Sequence, residues 1–394
     1  MNIVFGIIIG LIILMLLVVA HEFGHFIMAR KNGVTVKEFG IGFPPRAIAW
    51  VKKNGKWQKV PKSDWGKNQD SLVFSINWLP IGGFCSMDGE SDADTRKGTF
   101  GASSFKAKTK ILFGGVAMNW LVAFVILTIL SFTGMPKFME HQFYLDNDAD
   151  IYYSDVVVAN VLADSPAAAA GLTSGDRILK INSVDVHEPT DITRLGKENA
   201  GKLTKYTIIR DGKEQDLEIQ LNPADAKYAL GIEMAAQTMI RSTWSAPLVG
   251  LGTTIQLTGE TFRGLGQLVW NLGSGLVSQL SFNAEIREAG RSDIGAAGDA
   301  ISGPIGIIGV IFPQFVEAGL PNLLLLTALI SVSLACMNVL PIPALDGGRW
   351  LMIALYRLRH KKLTKETEEK IVARSFMVLM VLVVLISILD ITRL

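Results

Sequence analysis

The stretch IVFGIIIGLIILMLLVVAHEFGH, residues 3–25, decides how this chain is read. Nothing charged interrupts it before His21, and the apolar run resumes through Phe26, Ile27, Met28 and Ala29. That is long enough to cross roughly 30 Å of hydrocarbon. No basic region precedes it and no small-residue cleavage site follows it, so it is expected to remain as a transmembrane helix. The whole chain agrees: of 394 residues, 49% are hydrophobic and only 19% charged, too apolar for an ordinary soluble protein. Three further runs, Ile111 to about Gly134, about Leu323 to Leu345 and about Phe376 to Leu389, predict four spans in all.

Lysine and arginine set the direction. Between Arg30 and Lys110 there are fifteen, and between Arg349 and Arg374 there are eight. Both segments are therefore expected on the cytoplasmic side. The central segment, about Met135 to Asn322, then faces outward together with both ends of the chain. Net charge is only +2, which leaves no electrostatic footprint for nucleic acid. Cys85 and Cys336 both lie outside the central segment, so no structural disulfide is expected.

His21 and His25 are four residues apart and stack on one helix face, with Glu22 beside the first. Two neutral imidazoles in that register suit Zn2+, and an adjacent, unliganded carboxylate can take a proton from a zinc-acidified water. Ionisable groups inside an apolar span cost about 2.5–3.5 kcal/mol each on insertion scales, so a chance occurrence is disfavoured. A catalytic zinc needs a third protein ligand. The second span carries no ionisable residue, whereas the third run ends in Asn338-Val339-Leu340-Pro341-Ile342-Pro343-Ala344-Leu345-Asp346-Gly347-Gly348. Asp346 lies at the depth assigned to the histidines and is the candidate; the alternative is a cap or turn residue before two glycines. Cys336, three turns deeper, is a softer candidate or a packed thiol. Pro341 and Pro343 break the helix ahead of Asp346, which a membrane tolerates only beside protein or a hydrated cavity. Asn338 offers amide groups to a bound strand or to a neighbouring helix.

His21-Glu22-Phe23-Gly24-His25, taken with the run from Asn338 to Gly348, resembles the site-2 protease family, and most closely its bacterial sigma-E-regulator type. Phe39-Gly40-Ile41-Gly42-Phe43, Leu79-Pro80-Ile81-Gly82-Gly83-Phe84, Gly114-Gly115-Val116-Ala117-Met118-Asn119 and Ser302-Gly303-Pro304-Ile305 extend the resemblance over almost the whole chain. It implies zinc on His21, His25 and Asp346, Glu22 as general base and Asn338 near the substrate. It further implies intramembrane hydrolysis of peptide bonds in single-span proteins, such as anti-sigma factors or signal-peptide remnants, in a bacterial cytoplasmic membrane. A non-catalytic membrane scaffold and a metal-handling membrane protein are the alternative classes. Glu22 argues against both, since a structural metal needs no free carboxylate and a transporter would line more than one span with polar groups.

Four parts are expected. Residues 1–134 form a first membrane half, in which Phe39 to Val51 and Leu72 to Met87 read as strands around an Asn54-Gly55 turn. They form either a re-entrant hairpin whose edge pairs with an unwound substrate, Gly82 and Gly83 permitting a bulge or close approach, or an amphipathic hairpin lying on membrane lipid. Residues 135–237 hold one domain, bounded at about Val156 to Gln237. There Asp164-Ser165-Pro166 opens a short helix that Gly171 ends, and strands follow at Leu203 to Arg210 and Lys213 to Leu221 around Asp211-Gly212. Ala-Gly-Leu-x-x-Gly-Asp-x-Ile, residues 170–178, resembles a PDZ domain, which implies a groove for a peptide ligand; a spacer that excludes bulky ectodomains is the alternative. Sigma-E-regulator types resemble tandem PDZ proteins, and only one copy is found here. Residues 238–322 are expected to form interfacial amphipathic helices and a linker, with Ser292 to Ala300 a loop. Residues 323–394 form the second membrane half. The fold class is thus an α-helical membrane protein with about four transmembrane helices, a re-entrant β-hairpin and an extracytoplasmic PDZ (α+β) domain.

Overall fold

The computed structural model describes residues 3–53, 56–65, 71–210, 212–279 and 303–393, and between 280 and 302 only 283, 288, 290–292, 295 and 298. The Asn54-Gly55 turn, Asp211 and most of Ser292 to Ala300 lie outside the described residues. Two compact units emerge, one from Met1–Thr128 with Gly250–Leu394 and the other from Ile129–Val249.

In the first unit, four helices among the described residues are long and apolar enough to cross a membrane: α1 (Ile3–Lys31), α2 (Phe105–Thr133), α7 (Leu320–Val339) and α9 (Lys365–Arg393). On α1 the buried residues are Gly6, Gly10, Leu17, His21, Gly24, His25, Phe26 and Ala29, while Val4, Ile8, Leu11, Ile12 and Leu16 are exposed. Helical spacing thus sorts one apolar sequence into a protein-facing stripe of small residues and histidines and a stripe left for lipid. A short apolar helix, α6 (Pro304–Glu317), lies against α1, with Pro313 over Gly6 and Phe312 over Gly10. Asp390 of α9 caps the start of α6, accepting from the amides of Gly303 at 3.0 Å and Gly306 at 2.8 Å.

One expectation is corrected. The third span stops at Val339, not Leu345, because Pro341 and Pro343 cannot continue it. A separate helix, α8 (Asp346–Leu358), then begins at Asp346. Residues 246–279, expected as interfacial helices, form one 34-residue helix, α5 (Ala246–Gln279). Its glycines do not break it. Gly250 lies where a Cβ would collide with Thr128, and Trp120 of α2 donates to Thr258 at 3.1 Å, so near its start close packing compensates for weak helix propensity.

Between α1 and α2, β1 (Val36–Lys53), β2 (Lys56–Lys59) and β3 (Val73–Met87) form an antiparallel sheet in the order β2-β1-β3. Both long strands bend. Phe39 pairs with Phe74 on one side and Cys85 on the other, so the first half of β1 lies between the two halves of β3. The second half of β3, from Gly83 onward, pairs on one side only and is an edge against α1.

The second unit contains a six-stranded sheet with the order β10-β9-β7-β6-β11 and β8 on β7. These strands are β6 (Val156–Val161), β7 (Arg177–Ile181), β8 (Val184–Asp185), β9 (Leu203–Arg210), β10 (Lys213–Gln220) and β11 (Ile232–Ala235). Alternating residues such as Val156, Val158, Ile178, Ile208 and Ile219 meet Ile192 and Leu195 of α4 (Pro189–Glu198) in one core. The short α3 (Pro166–Ala169) starts as expected, with the Ser165 hydroxyl accepting from the Ala168 amide at 3.1 Å. Buried Asp176 accepts from the Arg210 guanidinium at 2.7 Å and the Thr173 amide at 2.8 Å. Burial raises its pKa, but these bonds outweigh it and hold the carboxyl below its ordinary value. β4 (Met135–Pro136), β5 (Asp150–Tyr153) and β12 (Thr238–Arg241) form a small sheet in the order β4-β12-β5 in this unit, which runs from Ile129 to Val249, wider at both ends than the 135–237 expected.

Candidate metal centre

His21 and His25 project from the buried face of α1, one turn apart, with ring centroids separated by 4.7 Å. Asp346, the first residue of α8, meets them from 325 positions away. Three atoms form a small triangle: His21 Nε2 and Asp346 Oδ2 are 3.1 Å apart, His25 Nε2 and Asp346 Oδ2 3.4 Å, and the two Nε2 atoms 3.1 Å. A tetrahedral ion with bonds of about 2.0–2.1 Å needs ligand atoms about 3.3–3.4 Å apart, so the triangle has the size of a zinc site.

The outer nitrogens agree with that reading. His25 Nδ1–H donates to the Ile111 carbonyl at 2.8 Å, which leaves the Nε2 lone pair free for a metal. Beside His21 Nδ1, at 3.5 Å, lies the Nδ2 of Asn119, a fully buried residue whose Oδ1 has no partner among the described residues. Amide orientation is an assignment, and turning this one over lets Oδ1 accept the Nδ1–H and satisfies both groups.

Packing between α1 and α2 makes these contacts possible. A Cβ at Gly24 would strike the Gly114 carbonyl, so the backbones touch there. A Cβ at Gly115 would stand 2.6 Å from His21 Cε1, 2.7 Å from His21 Nε2 and 2.7 Å from His25 Nε2. Gly115 therefore keeps open the space at the two Nε2 atoms.

Glu22 points to the sheet side, where its carboxylate accepts the Cys85 amide of the β3 edge at 3.0 Å. It lies close to both imidazoles, within a group whose candidate ligand atoms are all within 4.8 Å of one another. It is held by backbone and not by the Asp346 triangle, as suits a proton carrier more than a ligand. Of the other expected site residues, Asn338 is half-buried with its amide donating to the Leu334 carbonyl at 3.0 Å of its own helix. Pro341 lies exposed in the break before α8. Gly82, at φ +80°, forms a bend beside Val18 and Phe43, and Gly83 sits close to the Gly40 carbonyl. Cys336 is buried on α7 and is not part of the triangle. The sequence reading gave no site role to Asn119, the Ile111 carbonyl, Gly115 or the Cys85 amide. Gly115 and Asn119 lie in a stretch that carries the family resemblance, and Asn119 stands out further as a polar residue inside an apolar span.

Two helix-borne imidazoles and a carboxylate thus meet among apolar helices, a donor set of the kind that suits a divalent metal. The profile of peptidase family M50 matches residues 9–63 and 59–383, and the chain belongs to that family. A Clostridium perfringens chain assigned to the zinc metalloproteases is 29% identical over 378 residues, covering 95% of each chain. The zinc metalloprotease RasP of Bacillus licheniformis is 26% identical over 464 residues, with 96% of each covered. The regulator of sigma-W protease RasP of Bacillus subtilis is 25% identical over 447 residues, again with 96% of each covered. The chain is thus a zinc metalloprotease of the site-2 protease family.

Proposed function

We propose that His21, His25 and Asp346 hold the zinc and that Glu22 is the general base of an intramembrane endopeptidase acting on single-span membrane proteins. Bound there, zinc supplies an acidified water and a Lewis acid for the scissile carbonyl. The chain's own residues do the rest. Glu22, oriented by the Cys85 amide, takes the proton and returns it to the leaving amine. Ile111 and Asn119 fix the imidazoles, and the glycines of α2 keep the reacting space clear.

The substrate is expected as an extended strand beside the β3 edge that faces α1 from Gly83 onward, where the Cys85 backbone amide already meets Glu22. Asn338, Pro341 and Gly82 would border it. The observation carrying this reading is the triangle of ligand atoms at 3.1–3.4 Å, assembled by helices apolar enough to span a bilayer. The basic segments favour a cytoplasmic depth for the site. We further infer that residues 156–237 are a PDZ domain outside the cytoplasm, with β11 as the sheet edge open to a peptide end. Substrates of the anti-sigma type fit the name of the Bacillus subtilis relative, and signal-peptide remnants fit the same chemistry.

The test is to reconstitute wild type and Glu22→Gln with a single-span model substrate and to measure zinc in both. Both should hold one zinc, and only wild type should cleave. Equal cleavage would remove Glu22 from the mechanism and the protease reading of this site with it.

A further inference from the structure

The sheet between α1 and α2 has two unlike faces. On one, Ala49, Val51, Val60 and Val73 form a closed core under Trp65. Cross-strand pairing fixes the other: Trp50 faces Lys59 and Phe74, Lys52 faces Trp57, and Ile48 faces Ile76. Trp78 follows Ile76 by two residues on the same face. This face is open, with Trp78 70% exposed, Trp57 53% and Ile76 43%. Trp50, Trp57 and Phe74 line a shallow cavity of about 390 Å³ on it. Ring contacts carry the apolar surface from Trp57 through Phe74 to Phe26 and Phe23 on the first span.

The residues are graded along the strand direction. Trp78 comes first, then the Ile48–Ile76 pair, then Trp50 and Phe74 with Lys59, then Trp57 with Lys52. At about 3.4 Å per residue, Trp78 and Lys52 are separated by roughly 20 Å. Half a bilayer with its headgroups is also about 20–22 Å, ordered as hydrocarbon, aromatic belt and charged headgroups. No Asp or Glu occurs from Ala47 to Ser63, and neither Lys52 nor Lys59 has an ion-pair partner among the described residues. Exposed aromatics call for an apolar medium and two unpaired ammonium groups at their far end call for anions.

We propose that this face lies on the leaflet and that Lys52 and Lys59, flanked by Trp50 and Trp57, form a binding site for the phosphate groups of anionic phospholipids. The inference rests on the chain's membrane spans and is independent of what the enzyme cleaves. Such a site would fix the tilt of the sheet, and hence the height of the β3 edge, to leaflet charge.

Lysine footprinting tests it. The full-length protein is placed in nanodiscs of phosphatidylcholine alone or with about one third phosphatidylglycerol and acetylated briefly, and each lysine is followed by mass spectrometry. Lys52 and Lys59 should label about fivefold more slowly in the anionic discs, the factor that corresponds to about 1 kcal/mol per lysine at an anionic surface. Lys56, on the opposite face of β2, and Lys213, on β10, should be unchanged. A second arm compares wild type with Lys52→Gln/Lys59→Gln: the variant should keep its zinc but lose most co-purified phosphatidylglycerol. Equal labelling in the two discs, equal slowing at Lys56, undiminished lipid in the variant, or the same protection from inorganic phosphate in neutral discs would each overturn the proposal. So would protection in both discs accompanied by dimerisation, which would assign the face to a second copy.

Discussion

Gly115→Ala isolates the metal centre from the fold. The added methyl would lie 2.6–2.7 Å from His21 Cε1 and from the Nε2 atoms of both histidines. Ordinary carbon contacts begin at about 3.5 Å, so the imidazoles must retreat by close to 1 Å. Zinc ligation tolerates distance errors of only about 0.2 Å. Loss of an outer-shell hydrogen bond alone typically costs 10–100-fold in metal affinity, and displacing the ligands themselves should cost at least the upper figure, about 2.7 kcal/mol. Helix propensity works in the other direction, since alanine is favoured over glycine by about 1 kcal/mol in a helix interior. The variant should therefore keep its helical circular dichroism and its thermal midpoint in the metal-free state while losing bound zinc and at least 100-fold in cleavage rate. Stoichiometric zinc at wild-type affinity in Gly115→Ala would refute the geometry at its centre.

Asp346→Ala should also abolish stoichiometric zinc, and retained metal by mass spectrometry would remove Asp346 from the ligand set. Asn119→Ala should weaken zinc by 10–100-fold through His21 Nδ1, with Asn119→Asp restoring affinity because a carboxylate accepts the same proton; equal affinity in all three would dissociate Asn119 from the site. In the β-rich unit, Asp176→Asn should cost about 3 kcal/mol at neutral pH, since it removes one partner of a largely buried ion pair. Its folded pKa is depressed, so this stability is present above the unfolded value of about 3.9 and fades as pH falls through the folded one; the gap in thermal midpoint between wild type and variant should close below about pH 4. A constant gap down to pH 2 would assign the effect to packing.

What the sequence disclosed follows from how far each signal extends along the chain. Apolar runs and the His21–His25 register are local, and four candidate spans with a metal-type motif could be read directly. That Asp346 would lie beside the two histidines was reached by elimination, because few carboxylates occur in or next to the apolar runs. The end of the third span was drawn at Leu345 by hydropathy, because Pro341-Ile342-Pro343-Ala344-Leu345 is apolar throughout; the helix break read from the two prolines was the better guide, since the helix stops at Val339. For α5, the sequence suggested interfacial helices, whereas Gly250 and Thr258 are used for close packing against α2, a tertiary cause with no local trace. The same holds for Gly115 and for the Ile111 carbonyl. Their roles exist only once α1 and α2 touch at Gly24 and Gly114.

That contact explains why the motif is built with a glycine between Glu22 and His25. A helix pair separated by ordinary side chains lies 8–10 Å apart at its axes. At that distance the Ile111 carbonyl could not meet His25 Nδ1 at 2.8 Å, and Asn119 could not lie beside His21. Contact between Gly24 and the Gly114 carbonyl removes the intervening side chains and turns α2 into the outer shell of a site whose ligands it does not supply. The proposed general base, Glu22, is secured from the other side, by the Cys85 amide of β3. The proposed metal ligands and the proposed base are thus oriented by different elements, and the two can be separated by substitution. Gly24→Ala should push α2 away and weaken zinc while the Glu22–Cys85 bond survives. A change in the β3 edge such as Gly83→Pro should leave zinc stoichiometric and depress cleavage alone. If instead both variants lost zinc and activity in parallel, the sheet and the helix pair would be one cooperative support, and the division of labour drawn from these contacts would be wrong.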